Sequence, residues 1–222
     1  LTPNLDLDLD QNGNSDEVDG VPTAQALREG ILGSFGADAD NLTLYLVDHG
    51  GDKTFRLTEN EILSSSELDS WLDEWQATRP NGNVTLIYDA CQSGSFLDEL
   101  RDPNRILIAS AGAEEAAYFV SQGSLSFSNR FWSQIFNGAT LGEAYDLASQ
   151  ATSTAFPLQN PLLDADGDGS CNTAADLAAI ENLVLGAGTE VDGNAPEITS
   201  VSPVQNPTAS TATIEANGVT AA

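Results

Sequence analysis

Val84-Thr85-Leu86-Ile87-Tyr88-Asp89-Ala90-Cys91-Gln92-Ser93-Gly94 is the stretch that decides the fold. Its first five residues are apolar or β-branched with no polar alternation. They read as a strand covered on both faces, and Cys-x-Ser-Gly reads as a turn into a short helix. A similar run upstream, residues 42–47, ends in Asp48-His49-Gly50-Gly51, and a third occupies residues 106–109 downstream. Helical spacing fills the gaps. Ala24, Leu27, Ile31 and Phe35 recur behind an N-cap at Thr23, and Leu68, Trp71, Leu72 and Trp75 fall at i, i+3, i+4 and i+7 behind a cap at Ser66. Phe127, Phe131, Ile135 and Phe136 mark a later helix, and Thr140-x-x-Glu143 is a capping box that opens another. Such alternation predicts an α/β fold: a three-layer sandwich with a mostly parallel sheet and helices on both faces. The large aromatics at helical spacing, Trp71, Trp75, Phe131 and Trp132, read as core rather than as a ligand-stacking surface.

The 222 residues suit one sizeable domain with tails. Seven Lys and Arg stand against 34 Asp and Glu, a net charge of −27, which excludes a general hold on nucleic acid phosphates or anionic lipid. No apolar run approaches the ~18 residues of a spanning helix, so no membrane insertion is expected.

Two acidic loops match the spacing of calcium-binding loops, with oxygen ligands at positions 1, 3, 5, 7, 9 and 12. The first supplies Asp8, Asp10, Asn12, Asn14, Asp16 and Asp19. The second supplies Asp164, Asp166, Asp168, Ser170 and Asn172, but Ala175 stands at its twelfth position. Oxygen-only ligand sets suit structural Ca2+ and give no catalytic metal. The division expected is an acidic calcium-loop segment over 1–22, an α/β domain over 23–188 with the second loop at 164–175, and 189–222 as a linker or the truncated start of an Ig-like domain. With no initiator Met and no leader, the chain reads as part of a longer multidomain protein; its acidity, calcium-type loops and two cysteines suit an extracellular or cell-surface setting.

Reactive groups gather beyond the carboxyl ends of parallel strands, and here two such ends carry His49, the only histidine, and Cys91. A thiol needs a base or a positive environment to become a good nucleophile, and an imidazole on the neighbouring strand end supplies it. The backbone N–H groups of Gly50 and Cys91 are the candidate oxyanion donors.

An apolar strand ending in His-Gly, then an apolar strand ending in acid-Ala-Cys-x-Ser-Gly, resembles the clan of cysteine peptidases that holds caspases, legumain and gingipain. The likeness is closest to the bacterial legumain-type (C13) peptidases. It rests on Leu46-Val47-Asp48-His49-Gly50 and Tyr88-Asp89-Ala90-Cys91-Gln92-Ser93-Gly94 and extends over residues 23–155. The resemblance implies a caspase-like fold and a cysteine endopeptidase that cleaves a peptide or protein substrate through a thioester, with His49 as base and Cys91 as nucleophile. Asp89 stands where legumain carries Glu and caspases carry Gln, a position that reaches the primary specificity pocket. An acid there favours a basic or amide side chain, with Glu114 or Glu115 as a further wall. The rival reading is a calcium-stabilised, non-catalytic binding or adhesion module, or a caspase-like pseudoenzyme.

Overall fold

The computed structural model describes residues 20–185, 197–201 and 214–217. The first acidic loop, Asp8 to Asp19, lies outside the described residues. Contacts divide the chain into two units, Leu1–Leu185 and Gly186–Ala222.

In the first unit, β1 (Asn41–Val47) and β6 (Arg105–Ala109) lie parallel on either side of β5 (Asn83–Asp89), and β7 (Leu162–Asp164) closes the sheet antiparallel to β6. The order is β1-β5-β6-β7. Every residue of β5 from Val84 to Asp89 is buried, as the unbroken apolar run required.

Side chains alternate along a strand, so β5 feeds two cores. Val84, Leu86 and Tyr88 pack with Leu42, Leu46 and Leu107 against Ile31, against Leu68, Leu72 and Trp75 of α2 (Ser65–Ala77), and against Leu97 and Leu100 of α3 (Leu97–Leu100). On the opposite face Ile87, Ile108 and Leu163 meet Phe127 and Phe131 of α4 (Phe127–Phe136), Leu141, Ala144, Tyr145 and Ala148 of α5 (Leu141–Ala155), and Ile180 of α6 (Ala174–Ile180). Each such aliphatic or aromatic side chain contributes about 1.5–3 kcal/mol on burial. The result is the expected three-layer α/β sandwich with a mostly parallel sheet.

Helix starts follow the capping chemistry. The Thr23 side chain accepts from Ala26 N to open α1 (Ala24–Glu29), which continues as a single π-helical turn over Gly30–Ser34. Thr140 and Glu143 form the capping box of α5. For α2 the cap is Ser64 rather than Ser66, because only Ser64 has Glu67 three residues on to return the bond. Trp75 and Phe131 are core, and Trp71 and Trp132 pack against it. The helical periodicity overreaches at its ends: Phe35 and Phe136 are 65% and 85% exposed.

A second sheet, unforeseen from the sequence, joins β2 (Gly50–Gly51), β3 (Thr54–Arg56) and β4 (Ile62–Ser64) antiparallel. Strands of two and three residues carry no readable period. This small sheet leaves β1 immediately after His49.

Arg105, 1% exposed at the start of β6, holds α2 to the sheet. Its guanidinium donates to Asp69 and Asp73 at 2.6 Å each, to Gln76 at 2.7 Å and to the Leu100 carbonyl at 3.0 Å.

In the second unit, β8 (Glu197–Val201) and β9 (Ile214–Asn217) pair antiparallel across a register shift between Ile198 and Ser200.

Candidate active site

The β1–β5 register pairs Val47 with Asp89, so the next two residues of each strand carry the chain to His49 and to Cys91, side by side past the sheet's carboxyl edge. Gly50 confirms the approach. A Cβ built on it would fall 2.3 Å from the Cys91 carbonyl oxygen and 2.9 Å from Ala90 Cβ, contacts that only glycine permits. His49 is exposed and Cys91 half-buried. Among the described residues no hydrogen bond joins them; the thiol instead points to the Ala117 carbonyl at 3.8 Å. Such contacts commonly tighten only once substrate is bound. Both cysteines are free thiols, and burial, with the Asp164 and Asp176 carboxylates nearby, pushes Cys171 up to about 11.

The oxyanion donors expected from sequence are the backbone N–H groups of Gly50 and Cys91. Cys91 N–H donates to nothing among the described residues. Arg56 N donates to His49 O at 3.0 Å, which marks 49 and 56 as a hydrogen-bonded pair of the β2–β3 ladder. Bonded and non-bonded pairs alternate, so Gly50, opposite Phe55, directs its N–H away from β3.

The turn after Cys91 is tightly held. Gln92 adopts the left-handed conformation, φ 58°, a strained one for a non-glycine residue, and its N–H donates to Glu115 O at 2.7 Å. Ser93, fully buried, accepts from Ala111 N and donates to Ala111 O. Gly94 N donates to Ala111 O at 2.9 Å, and a Cβ on Gly94 would stand 2.9 Å from that same oxygen. The Ser-Gly of the motif thus fastens the Cys91 turn to the end of β6.

Asp89 is 1% exposed and faces α4. Its Oδ2 accepts from Ser128 N at 2.9 Å and from the Ser128 hydroxyl, while its Oδ1 is buried without a partner, as is Ser110 Oγ. Burial raises its pKa above the ordinary carboxylate value, against the opposing bonds from Ser128 and the nearby Ser110 hydroxyl, which lies close without meeting hydrogen-bond geometry. Ser128 in turn lines a groove of about 490 Å3 with Tyr45, Val47, Phe119, Trp132 and Phe136.

Glu114 is exposed, and Glu115 is committed elsewhere. Burial pushes its pKa up, but bonds from Asn160 and Gly112 outweigh that and hold the carboxyl below its ordinary value. Sequence reasoning missed the clamp on the segment beside the thiol: Gln159, fully buried, accepts from Tyr118 N and donates to Ser110 O. Nothing in a lone Gln outside a motif signals that role.

In the second acidic loop, oxygens of Asp164, Asp166 and Asp168 lie within 4.8 Å of one another. Asp164 also accepts from Gly167 N and Gly169 N, at glycines with φ of 73° and 81°. Ser170 is exposed. Asn172 turns inward, its Oδ1 taking bonds from Leu163 N and the Tyr145 hydroxyl, and Asp176 is spent on Ala165 N and the α6 cap. Three carboxylates converge, and the side chains of Asn172 and Asp176 do not join them.

The sequence profile of the Peptidase C13 family matches residues 31–160, which span β1, β5, His49 and Cys91. The chain belongs to the Peptidase C13 family. Two of its relatives are the GPI-anchor transamidase of Bos taurus, 30% identical over 79 residues, 35% of this chain and 20% of that protein, and the putative GPI-anchor transamidase of Drosophila melanogaster, 31% identical over 72 residues, 32% and 20%. The enzyme of Schizosaccharomyces pombe is 25% identical over 81 residues, 36% of this chain and 21% of that one. The match thus spans about a fifth of the length of these curated relatives. Among solved structures, caspase-1 from Spodoptera frugiperda aligns with a TM-score of 0.49 at 12% identity, covering 65% of this chain and 68% of that one. C13 membership assigns a cysteine-peptidase type of function to the domain.

Proposed function

We propose that this domain cleaves peptide bonds through a Cys91–His49 dyad. The observation that carries the reading is the β1–β5 register, with Gly50 laid against the Cys91 backbone. His49 takes the thiol proton as Cys91 Sγ attacks the carbonyl carbon. The oxyanion sits at the Gly50 and Cys91 N–H groups, the amine leaves with the proton from His49, and water opens the thioester. Asp89 beneath Ser128 sets a preference for a basic or amide side chain at the cleaved residue, acting as a buried negative charge behind the groove that Ser128 lines rather than by direct contact. The relatives' designation as transamidases supports a second fate for the same thioester, attack by an amine instead of water. Structural calcium would be held by Asp164, Asp166 and Asp168, and by the first loop. The setting proposed is outside the cell or at its surface, within a longer protein.

The test is a peptide library screened with the wild type, Cys91→Ala and His49→Ala, with and without calcium. Cleavage by the wild type and its loss in both variants is expected. Equal cleavage in all three refutes the dyad, and a Cys91 that iodoacetamide leaves unmodified near neutral pH favours a binding module or pseudoenzyme. An added primary amine that appears in the acyl product identifies transfer over hydrolysis.

A further inference from the structure

Tyr88 lies three residues before the nucleophile and takes no part in the chemistry above. Its ring is wholly buried, edge-on to Phe55 of β3 at 5.4 Å and to Phe96 at 4.7 Å. Its hydroxyl donates to the Thr54 carbonyl at 3.0 Å, and the same oxygen stands 2.6 Å from where a Cβ on Gly50 would be. One side chain rooted in the strand that delivers Cys91 therefore reaches into the hairpin that begins at His49 and Gly50.

That hairpin needs fastening. β2 has two residues and β3 three, and so small a ladder is marginal by itself. Besides Phe55 in the core and the pairing of β3 with β4, its ties to the rest are polar: Lys53 N donates to Ser95 Oγ, Ser95 Oγ reaches Gly51 O at 3.4 Å, Lys53 Nζ pairs with Glu99, Ser65 N donates to Lys53 O, and Tyr88 holds Thr54 O. The Ser95 and Ser65 ties secure the hairpin tip to the turn after Cys91 and to the start of α2. Among these polar ties only the Tyr88 bond runs from β5 itself. Burial raises the phenol's pKa, so the hydroxyl stays protonated and keeps donating at any working pH.

We propose that Tyr88 is a positioning residue: its hydroxyl latches the β2–β3 hairpin to the end of β5 and so fixes the approach of His49 and of the Gly50 N–H to Cys91. The inference rests on the dyad reading. A displacement of about 1 Å in such a constellation costs up to about a hundredfold in rate, so a single bond that sets the hairpin's height affects turnover without touching substrate.

Tyr88→Phe keeps the ring between Phe55 and Phe96 and removes only the latch. In a Cys171→Ser background, three quantities are measured: kcat and KM on a peptide the parent cleaves, the pH profile of Cys91 alkylation by iodoacetamide, and the Tm. The latch predicts that kcat falls about tenfold while KM stays within about twofold. It also predicts an alkylation midpoint moved toward that of His49→Ala and a Tm close to the parent's. A parental kcat and alkylation profile in Tyr88→Phe overturns the latch, and so does a loss of kcat matched by a loss of folded protein. The dyad fails separately, when His49→Ala alkylates with the parental profile, and the latch falls with it. Alkylation needs no substrate, so the outcome is decided even when the preferred peptide is unknown.

Discussion

Asp89→Asn should make this protein more stable and less selective. The carboxylate is buried, its Oδ1 has no partner, and the neighbouring Ser110 Oγ has none either. An unsatisfied buried acceptor costs about 1–3 kcal/mol, more when charged. Asparagine keeps one oxygen for Ser128 and offers an N–H2 where Oδ1 stood, with Ser110 Oγ as its acceptor. The expected gain at pH 7 is about 1–2 kcal/mol, or a Tm rise of about 3–6 °C for a domain of this size.

The pH dependence gives the sharper test. Burial raises the Asp89 pKa above its ordinary 3.8, so between those two values the native state binds more protons than the unfolded chain. Stability contributed at this position is therefore greatest below 3.8 and is lost as pH climbs through the raised value. Melting both proteins from pH 3 to 8 and subtracting cancels the other titrating groups. The difference, variant minus wild type, should be small at the acid end, grow with pH and then level off. A difference that is flat, or a variant less stable than wild type at pH 7, refutes the account of Asp89 as a strained buried acid. On the activity side, cleavage after Arg or Lys should fall about tenfold relative to cleavage after uncharged residues, as the buried negative charge behind the groove is lost.

Gly50→Ala forces a Cβ onto the Cys91 carbonyl and the Tyr88 hydroxyl, so peptide cleavage should drop by about a hundredfold or more, and a variant that retains parental kcat/KM contradicts the packing of Gly50 on the Cys91 turn. Arg105→Ala strips four bonds from a buried guanidinium at the foot of β6; because Asp69 and Asp73 are partly solvated, the low end of the usual range applies, about 3 kcal/mol, read as a urea midpoint shift with unchanged slope. If the acidic loops bind calcium with the 10⁻⁴–10⁻³ M affinity of extracellular modules, 1 mM calcium should add about 0.4–1.4 kcal/mol per site, and Asp166→Ala with Asp168→Ala should remove the share of the second loop; a Tm unmoved by chelator refutes the assignment.

Legibility followed the length scale of each signal. β5 was readable because a strand covered on both faces leaves an unbroken apolar run; β1 carries a similar run but is the edge strand, burying Leu42 and Leu46 while Tyr45 and Val47 stay exposed, and His49 and Cys91 stood out because a strand end is where such runs stop. The helix caps at Thr23 and Thr140 were readable because capping chemistry is local, whereas among three consecutive serines the cap was expected at Ser66, two residues past Ser64, where the Ser64–Glu67 exchange places it. The β2–β3–β4 sheet was invisible, since strands of two and three residues have no period to detect. Gln159, Glu115 and Ser95 act on backbone groups that are neighbours only after folding, so their roles carried no pattern in sequence. In the second acidic loop the spacing was clear, but the sequence did not register that Asn172 has a better use inside, bonded to Leu163 N and Tyr145.

The period of two that made β5 recognisable also divides the labour around Cys91. Consecutive residues on a strand face opposite sides, so Tyr88 enters the core beneath the hairpin of His49 and Gly50, and Asp89 turns to Ser128 on α4. One side of the strand end thus positions the proposed base and oxyanion donor, and the other forms the floor of the proposed specificity groove. The arrangement makes the two separable by mutation: Tyr88→Phe should change kcat with the same side-chain preference, and Asp89→Asn should change the preference with the alkylation profile of Cys91 intact. A register slip of one residue would exchange the two faces and destroy both, which is why the pairing of Val47 with Asp89 is as much a condition of the proposed chemistry as the thiol itself.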